Sequence, residues 1–348
     1  MANSRRFYGM AFLFLLAGCN FDKAPQPPVL MPDASAPMPD SVARYLGAAL
    51  DSMQQHSIRK HRIDWPQLRQ TTFDQAKGAL TYQQTYPAIE AALAALGDNH
   101  SFFKTPEQHQ AWLTESEQTP AGTNLPIGAM VDEKFAWVIV PDFASGNSAQ
   151  GQAYASALQE VLRKLDARNP AGWIIDLQSN RGGNMWPMLA GIGPLVGEGI
   201  LGHFLTADGR NTPWRYERGA AKLDDALMCE VTDYYELKNS DAPVAVLIDE
   251  NTASSGEAIL VSFLGRANTK VFGSASAGLS TANDEYTLED GAQLILTSAV
   301  FTDRSGKKYG KQIVPDVDLS GEWYFIPGLK NITLRQKVKA WIMESSPG

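Results

Sequence analysis

Short apolar runs alternate with amphipathic stretches through the second half of the chain. Residues 135–140, 173–177 and 244–248 are nearly continuous apolar runs of strand length. That is the pattern of strands buried on both faces of a sheet. Between the first two, Tyr154, Leu158, Val161, Leu162 and Leu165 recur at helical spacing. After the third, Ile259, Leu260, Phe263 and Leu264 do the same, and another strand is centred on Val271. Strands alternating with helices predict a parallel sheet with crossover connections. The pair Asp290-Gly291, between residues 285–288 and 293–300, predicts an antiparallel hairpin. The α/β part thus spans roughly residues 128–318.

The first half reads differently. Leu46, Leu50 and Met53, then Ile89, Leu93 and Leu96, fall at helical spacing, so residues 41–97 are expected to be helical. Residues 104–124 are polar and are expected to form a loop or short helix. Residues 197–242 form a variable, partly polar stretch with no assigned element.

The N-terminus bears on the compartment. Arg5 and Arg6 precede the apolar residues 12–16, too short a run to span a bilayer, and Leu16-Ala17-Gly18-Cys19 follows. Such a leader resembles a secretory signal, and its last four residues resemble the bacterial lipoprotein processing site, with Cys19 as the lipidated residue. Residues 21–39 are rich in proline and poor in large apolar residues, the composition of a tether. Release of residues 1–18 would leave 330 of the 348 residues, enough for one large core or two smaller ones. The net charge of −8 argues against nucleic acid as a partner. Cys229 is the second of two cysteines, so with Cys19 lipidated no disulfide can form within the chain. No CxxC, HExxH or calcium-loop pattern occurs, and neither metal nor cofactor is expected.

Candidate chemistry collects at turns. Ser254 lies where the 244–248 strand hands over to a helix, and Ser255 opens that helix. A hydroxyl there can be exposed, with unpartnered backbone N–H groups and the positive end of the helix dipole beside it. An ordinary helix cap looks the same. Gly182 and Gly183, after the 173–177 strand, permit unusual backbone angles, so their N–H groups can face a carbonyl oxygen. They also fit a plain glycine turn. Both turns would lie beyond the carboxyl ends of parallel strands, where ligands bind in open α/β sheets. His100, one of five histidines, sits in Leu96-Gly97-Asp98-Asn99-His100-Ser101-Phe102-Phe103.

The order LGDNHSFF, GWIIDLQSNRGG, NTASSGE, VFGSASAGLSTAND, DGAQLILTSAVFTDRSGKKYG and VPD resembles the tail-specific (C-terminal processing) and tricorn-core serine peptidase family from Leu96 to Asp318. The resemblance implies an α/β fold with a crotonase-like (ClpP-like) parallel-sheet core, a helical N-terminal region and a small cap. It implies Ser254 as nucleophile and an oxyanion hole from the N–H of Ser255 with that of Gly182 or Gly183. The tail-specific branch uses a lysine base, and Leu279 stands at the matching position. Leucine accepts no proton, so the resemblance is to the histidine-using, nisin-resistance-type branch, with His100 as base. Only about thirty residues separate His100 from the first sheet strand, too few for a PDZ module of roughly fifty or more. An acid is expected to orient the imidazole. Glu257 is the first choice, although an acid in a helix's first turn also serves as a cap. Asp98 is the second, and Asp176 is expected to hold its loop.

The expected organisation is a signal peptide at 1–18, a lipid-anchored tether at 19–40, a helical region at 41–103, a linker or cap segment at 104–127 and a peptidase core at 128–335. The expected function is a membrane-tethered serine endopeptidase or C-terminal processing peptidase of the bacterial cell envelope. Its partners would be a peptide or unfolded-protein substrate and, through the anchor, a membrane. The alternative is a non-catalytic peptide- or lipid-binding protein on the same scaffold. Acyl-CoA chemistry ranks last.

Overall fold

A computed structural model describes residues 37–118, 124–320 and 332–345 of the chain. The leader, Cys19 and most of the tether lie outside the described residues. Among the described residues no helix is long and apolar enough to cross a membrane.

Three helices lead the chain: α1 (Asp40–His56), α2 (Trp65–Gln75) and α3 (Tyr86–Leu96). The apolar positions at helical spacing are the buried ones, including Leu46, Leu50, Met53, Ile89 and Leu93. The Asp64 side chain caps α2, and Pro66 sits in its first turn, where a missing N–H is harmless. Next come strand β1 (Phe102–Lys104) and helix α4 (Pro106–Gln118).

The α/β core follows. It contains β2 (Ile127–Val131), β3 (Phe135–Ile139), α5 (Ser148–Asp166), β4 (Gly172–Asp176) and α6 (Met185–Val196). After an excursion it resumes with β9 (Val244–Ile248), α7 (Ser255–Phe263) and β10 (Thr269–Gly273), and it ends with β13 (Val317–Asp318) and α8 (Ile332–Ser345). The six strands lie in the order β13-β10-β9-β4-β3-β2. All neighbours are parallel except the β2–β3 hairpin. Every side chain of β4 and β9 is buried, as their unbroken apolar sequences require.

The stretch 197–242, left without elements in the sequence, forms four strands: β5 (Gly199–Thr206), β6 (Asn211–Glu217), β7 (Ala220–Leu223) and β8 (Ala226–Glu230). They join β1, β11 (Thr281–Thr287) and β12 (Gln293–Asp303) in a seven-stranded antiparallel sheet. Strands β5–β8 are only partly buried and are interrupted by glycine, proline and charge, so no apolar run marks them. The segment expected as linker or cap, 104–127, holds α4. The β11–β12 pair confirms the predicted hairpin.

Residues of both sheets and of α5, α6 and α7 share the main hydrophobic core, with Trp173 and Val246 from one sheet and Trp214 and Phe301 from the other. Helices α1–α3 form a second core on the Leu294 and Leu296 side of β12. There Tyr45 and Tyr86 donate to the two carboxylate oxygens of Asp290 at the hairpin tip, at 3.0 and 2.5 Å. Helix α8 covers the outer face of the six-stranded sheet through Val338 and Ile342.

Candidate active site

The loops after β3, β4 and β9 all emerge at the carboxyl ends of parallel strands. They meet the inner face of the seven-stranded sheet around a cleft of about 690 Å³ lined by His100, Ser145, Gly183, Ser254, Ser255, Thr281 and Asn283, among others.

Ser254 stands on a turn fixed from both sides. Thr252 donates through Oγ1 to the Leu177 carbonyl (2.8 Å), and the Ala253 N–H donates to the Asn180 carbonyl (2.9 Å). The side-chain amide of Asn180 in turn donates to the Val140 carbonyl (2.9 Å), so one buried asparagine ties three loops together. Ser254 has φ +51° and ψ −116°, a conformation that L residues rarely hold. The surrounding bonds over-determine it, and the side chain is presented at the start of α7.

Glu257, one turn into α7, is fully buried. Its carboxylate accepts from the Ser254 N–H (2.9 Å), the Ser276 hydroxyl (2.5 Å) and the Gly278 N–H (3.1 Å). Burial raises its pKa above the ordinary carboxylate value, against these hydrogen bonds, which favour the charged form. Glu257 makes no hydrogen bond to His100. The acid expected to orient the base instead braces the Ser254 turn and the 276–279 loop. The reason is that its oxygens are taken up by these three donors.

His100 follows a tight turn after α3. Gly97 (φ +69°) and Asn99 (φ +60°) take left-handed conformations, and Asp98 accepts the N–H groups of His100 (3.0 Å) and Ser101 (2.7 Å). Asp98 therefore holds the backbone of the histidine segment. The ring Nδ1 lies 2.8 Å from Thr281 Oγ1, and the Asn283 side chain donates to the His100 carbonyl (3.0 Å). Burial lowers the His100 pKa below 6.5, opposed by the charge of Asp98. Thr281 and Asn283 went unremarked in the sequence; a threonine opening a strand carries no signal of its partner. Asp176, inside β4, accepts from the Gln178 N–H (3.0 Å) and so holds its loop.

The two glycines have different roles. The Gly182 N–H is committed to Asn180 Oδ1 (3.0 Å). A Cβ on Gly182 would lie 2.8 Å from both the Ala253 carbonyl and the Ser255 nitrogen, so only glycine lets these turns meet. Gly183 lines the cleft, and its carbonyl accepts from Ser255 Oγ (2.5 Å). Among the described residues, neither the Gly183 nor the Ser255 N–H donates to a protein acceptor. Two backbone donors and the serine thus share one wall of the cleft. His100 lines the same cleft without a hydrogen bond to Ser254, and such bonds commonly tighten only with substrate bound.

No group of three or more His, Cys, Asp or Glu residues suited to a metal occurs among the described residues. Cys229 is a buried free thiol.

Comparison with known proteins gives the same direction. The description "Peptidase family S41" matches residues 102–319. The nisin-resistance protein of Lactococcus lactis subsp. lactis is 31% identical over 281 residues, covering 80% of this chain and 84% of that protein. The structure of a lipoprotein from Streptococcus agalactiae superposes with a TM-score of 0.70 at 25% identity, covering 88% of this chain and 97% of that one. The photosystem II D1 C-terminal processing protease shares the fold, with a TM-score of 0.59 at 16% identity over 81% of this chain and 94% of that chain. Matched from β1 through β13, and related to a curated protein over most of its length, the chain belongs to peptidase family S41.

Proposed function

We propose that the protein is a serine peptidase in which Ser254 is the nucleophile and His100 the base, built on a crotonase-like core. The observation that carries this is the meeting, in one cleft, of a serine on a strained turn, a half-buried histidine and two partnerless N–H groups. Ser254 Oγ attacks the peptide carbonyl carbon as His100 Nε2 takes its proton. The N–H groups of Gly183 and Ser255 stabilise the oxyanion. His100 then gives the proton to the departing amine as the C–N bond breaks. Water, deprotonated by the same ring, hydrolyses the acyl-enzyme. For Nε2 to act as base the ring must carry its proton on Nδ1, and Thr281 Oγ1 is placed to accept a hydrogen bond from that N–H.

The substrate is a peptide of the envelope or surroundings, and the name of the Lactococcus lactis relative supports an antimicrobial peptide. Lipidation at Cys19 would tether the enzyme to the bacterial envelope, a reading supported by the Leu16–Cys19 box and by the likeness to a lipoprotein from Streptococcus agalactiae. The deciding experiment is labelling with a fluorophosphonate, together with hydrolysis of a peptide library. The wild type should be labelled and active, Ser254→Ala unlabelled and inactive, and His100→Ala inactive but folded. A wild type neither labelled nor active would return the protein to the class of binding proteins.

A further inference from the structure

The floor of the cleft is one face of the seven-stranded sheet, and its residues form rows across the strands. Thr206 of β5 pairs with Ala299 of β12, which pairs with Ala282 of β11. Two positions along, Phe204 pairs with Phe301. At the other end Phe102, Ile295 and Glu285 form a row. A register shift between Ala282 and Asn283 puts both beside the cleft, under His100. The rows of Ala299 and Ile295 are about 14 Å apart, at ~3.4 Å per residue.

The charged side chains on this lining, His100 aside, are divided between its ends. Asp284 and Glu285 belong to the Ile295 end, and Arg210 to the Thr206 end. Arg210 is held by its backbone to Thr206: its N–H donates to Thr206 Oγ1 (3.2 Å), and its carbonyl accepts from the Thr206 N–H (3.0 Å). Its side chain is exposed, and among the described residues its guanidinium has no acid partner. The acid two positions away, Asp208, is already engaged by Lys60 and by His61 (3.0 Å). An arginine fixed at its backbone, facing a cleft and unneutralised, suits a planar carboxylate.

Resting on the peptidase reading above, we propose that Arg210 binds a carboxylate of the peptide substrate, at the chain end or on an acidic side chain. Thr206 and Ala282 of β11, the strand whose Thr281 contacts His100, are two strand spacings apart, about 10 Å. A free C-terminal carboxylate at Arg210 would direct cleavage to the tails of peptides.

The test uses one peptide in three forms: free acid, C-terminal amide, and amide ending in Glu. Binding to Ser254→Ala is measured by fluorescence anisotropy and turnover by mass spectrometry. The free acid should bind roughly 10–100-fold more tightly than the plain amide, as a charged hydrogen-bonded pair implies. Arg210→Gln, placed in either background, should erase that preference, and Arg210→Lys should restore part of it. An amide ending in Glu that matches the acid would identify a side-chain carboxylate as sufficient. A preference for the free acid alone would identify the chain end. Equal binding of acid and amide, unchanged by Arg210→Gln, overturns the proposal while Ser254 labelling still upholds the peptidase. Loss of labelling and turnover in the wild type would remove both.

Discussion

The Nδ1 of His100 and the Oγ1 of Thr281 are 2.8 Å apart, and among the described residues no carboxylate hydrogen-bonds the ring. A neutral hydroxyl thus occupies the place usually given to an acid in serine–histidine sites. It adds no negative charge, so nothing at Nδ1 counters the burial that lowers the histidine pKa.

On the proposed mechanism Thr281 is a positioning residue whose loss should appear in kcat. Thr281→Val is expected to lower kcat by roughly 10–100-fold, the equivalent of one hydrogen bond to a charging group, with KM little changed. Thr281→Ser should retain most activity. Thr281→Asp should move the acidic limb of the pH–rate profile upward, because a nearby anion favours the imidazolium. Steady-state kinetics across pH on the three variants checks this; full activity in Thr281→Val would remove the hydroxyl from the mechanism.

The pH dependence has a definite sign. A base must be neutral, and burial favours neutral imidazole, so kcat/KM should reach half its plateau below pH 6.5. Asp98 opposes this shift, so Asp98→Asn should move the limb still lower. Glu257→Gln should leave the limb in place, because its carboxylate does not bond the ring. It should instead destabilise the fold by roughly 1–3 kcal/mol, since an amide NH₂ would face backbone donors. A limb that moves with Glu257→Gln, read in the same pH series alongside a melt, would return the orienting role to that acid.

Ser254 is held at φ +51° at a cost in stability. Ser254→Gly should abolish activity while raising stability by roughly 1–3 kcal/mol, because glycine adopts such angles freely. Denaturant melts of the two proteins measure the difference directly. A less stable Ser254→Gly protein would mean that the turn is not strained.

Cys19→Ser should release the protein from membranes into the soluble fraction, and metabolic labelling with a palmitate analogue should lose its band. Membrane association that persists in the variant would place the tether elsewhere.

The parallel core was legible because its strands are buried on both faces and read as unbroken apolar runs, as residues 244–248 show. The glycine and serine turns were legible because few residue types permit them. Strands β5–β8 were not, because half-exposed antiparallel strands tolerate Gly209, Pro213 and Arg215 in and around them. The division of labour within the site was also hidden. Glu257 and Thr281 lie 3 and 27 positions after Ser254, yet the more distant one reaches the histidine. Hydrogen-bond direction is a property of packing and leaves no mark in residue spacing.

The histidine segment and its anchor are 181 positions apart, and Ser254 lies between them in the chain. During synthesis His100 emerges long before the strand that seats it. Ser254 too is made before β11 and β12 exist to close the cleft. A growing polypeptide therefore carries both residues without their alignment. Competence arises only when the last strands arrive and α1–α3 dock upon them. Late assembly of this kind would keep a serine and a histidine of one cleft apart until the fold is complete.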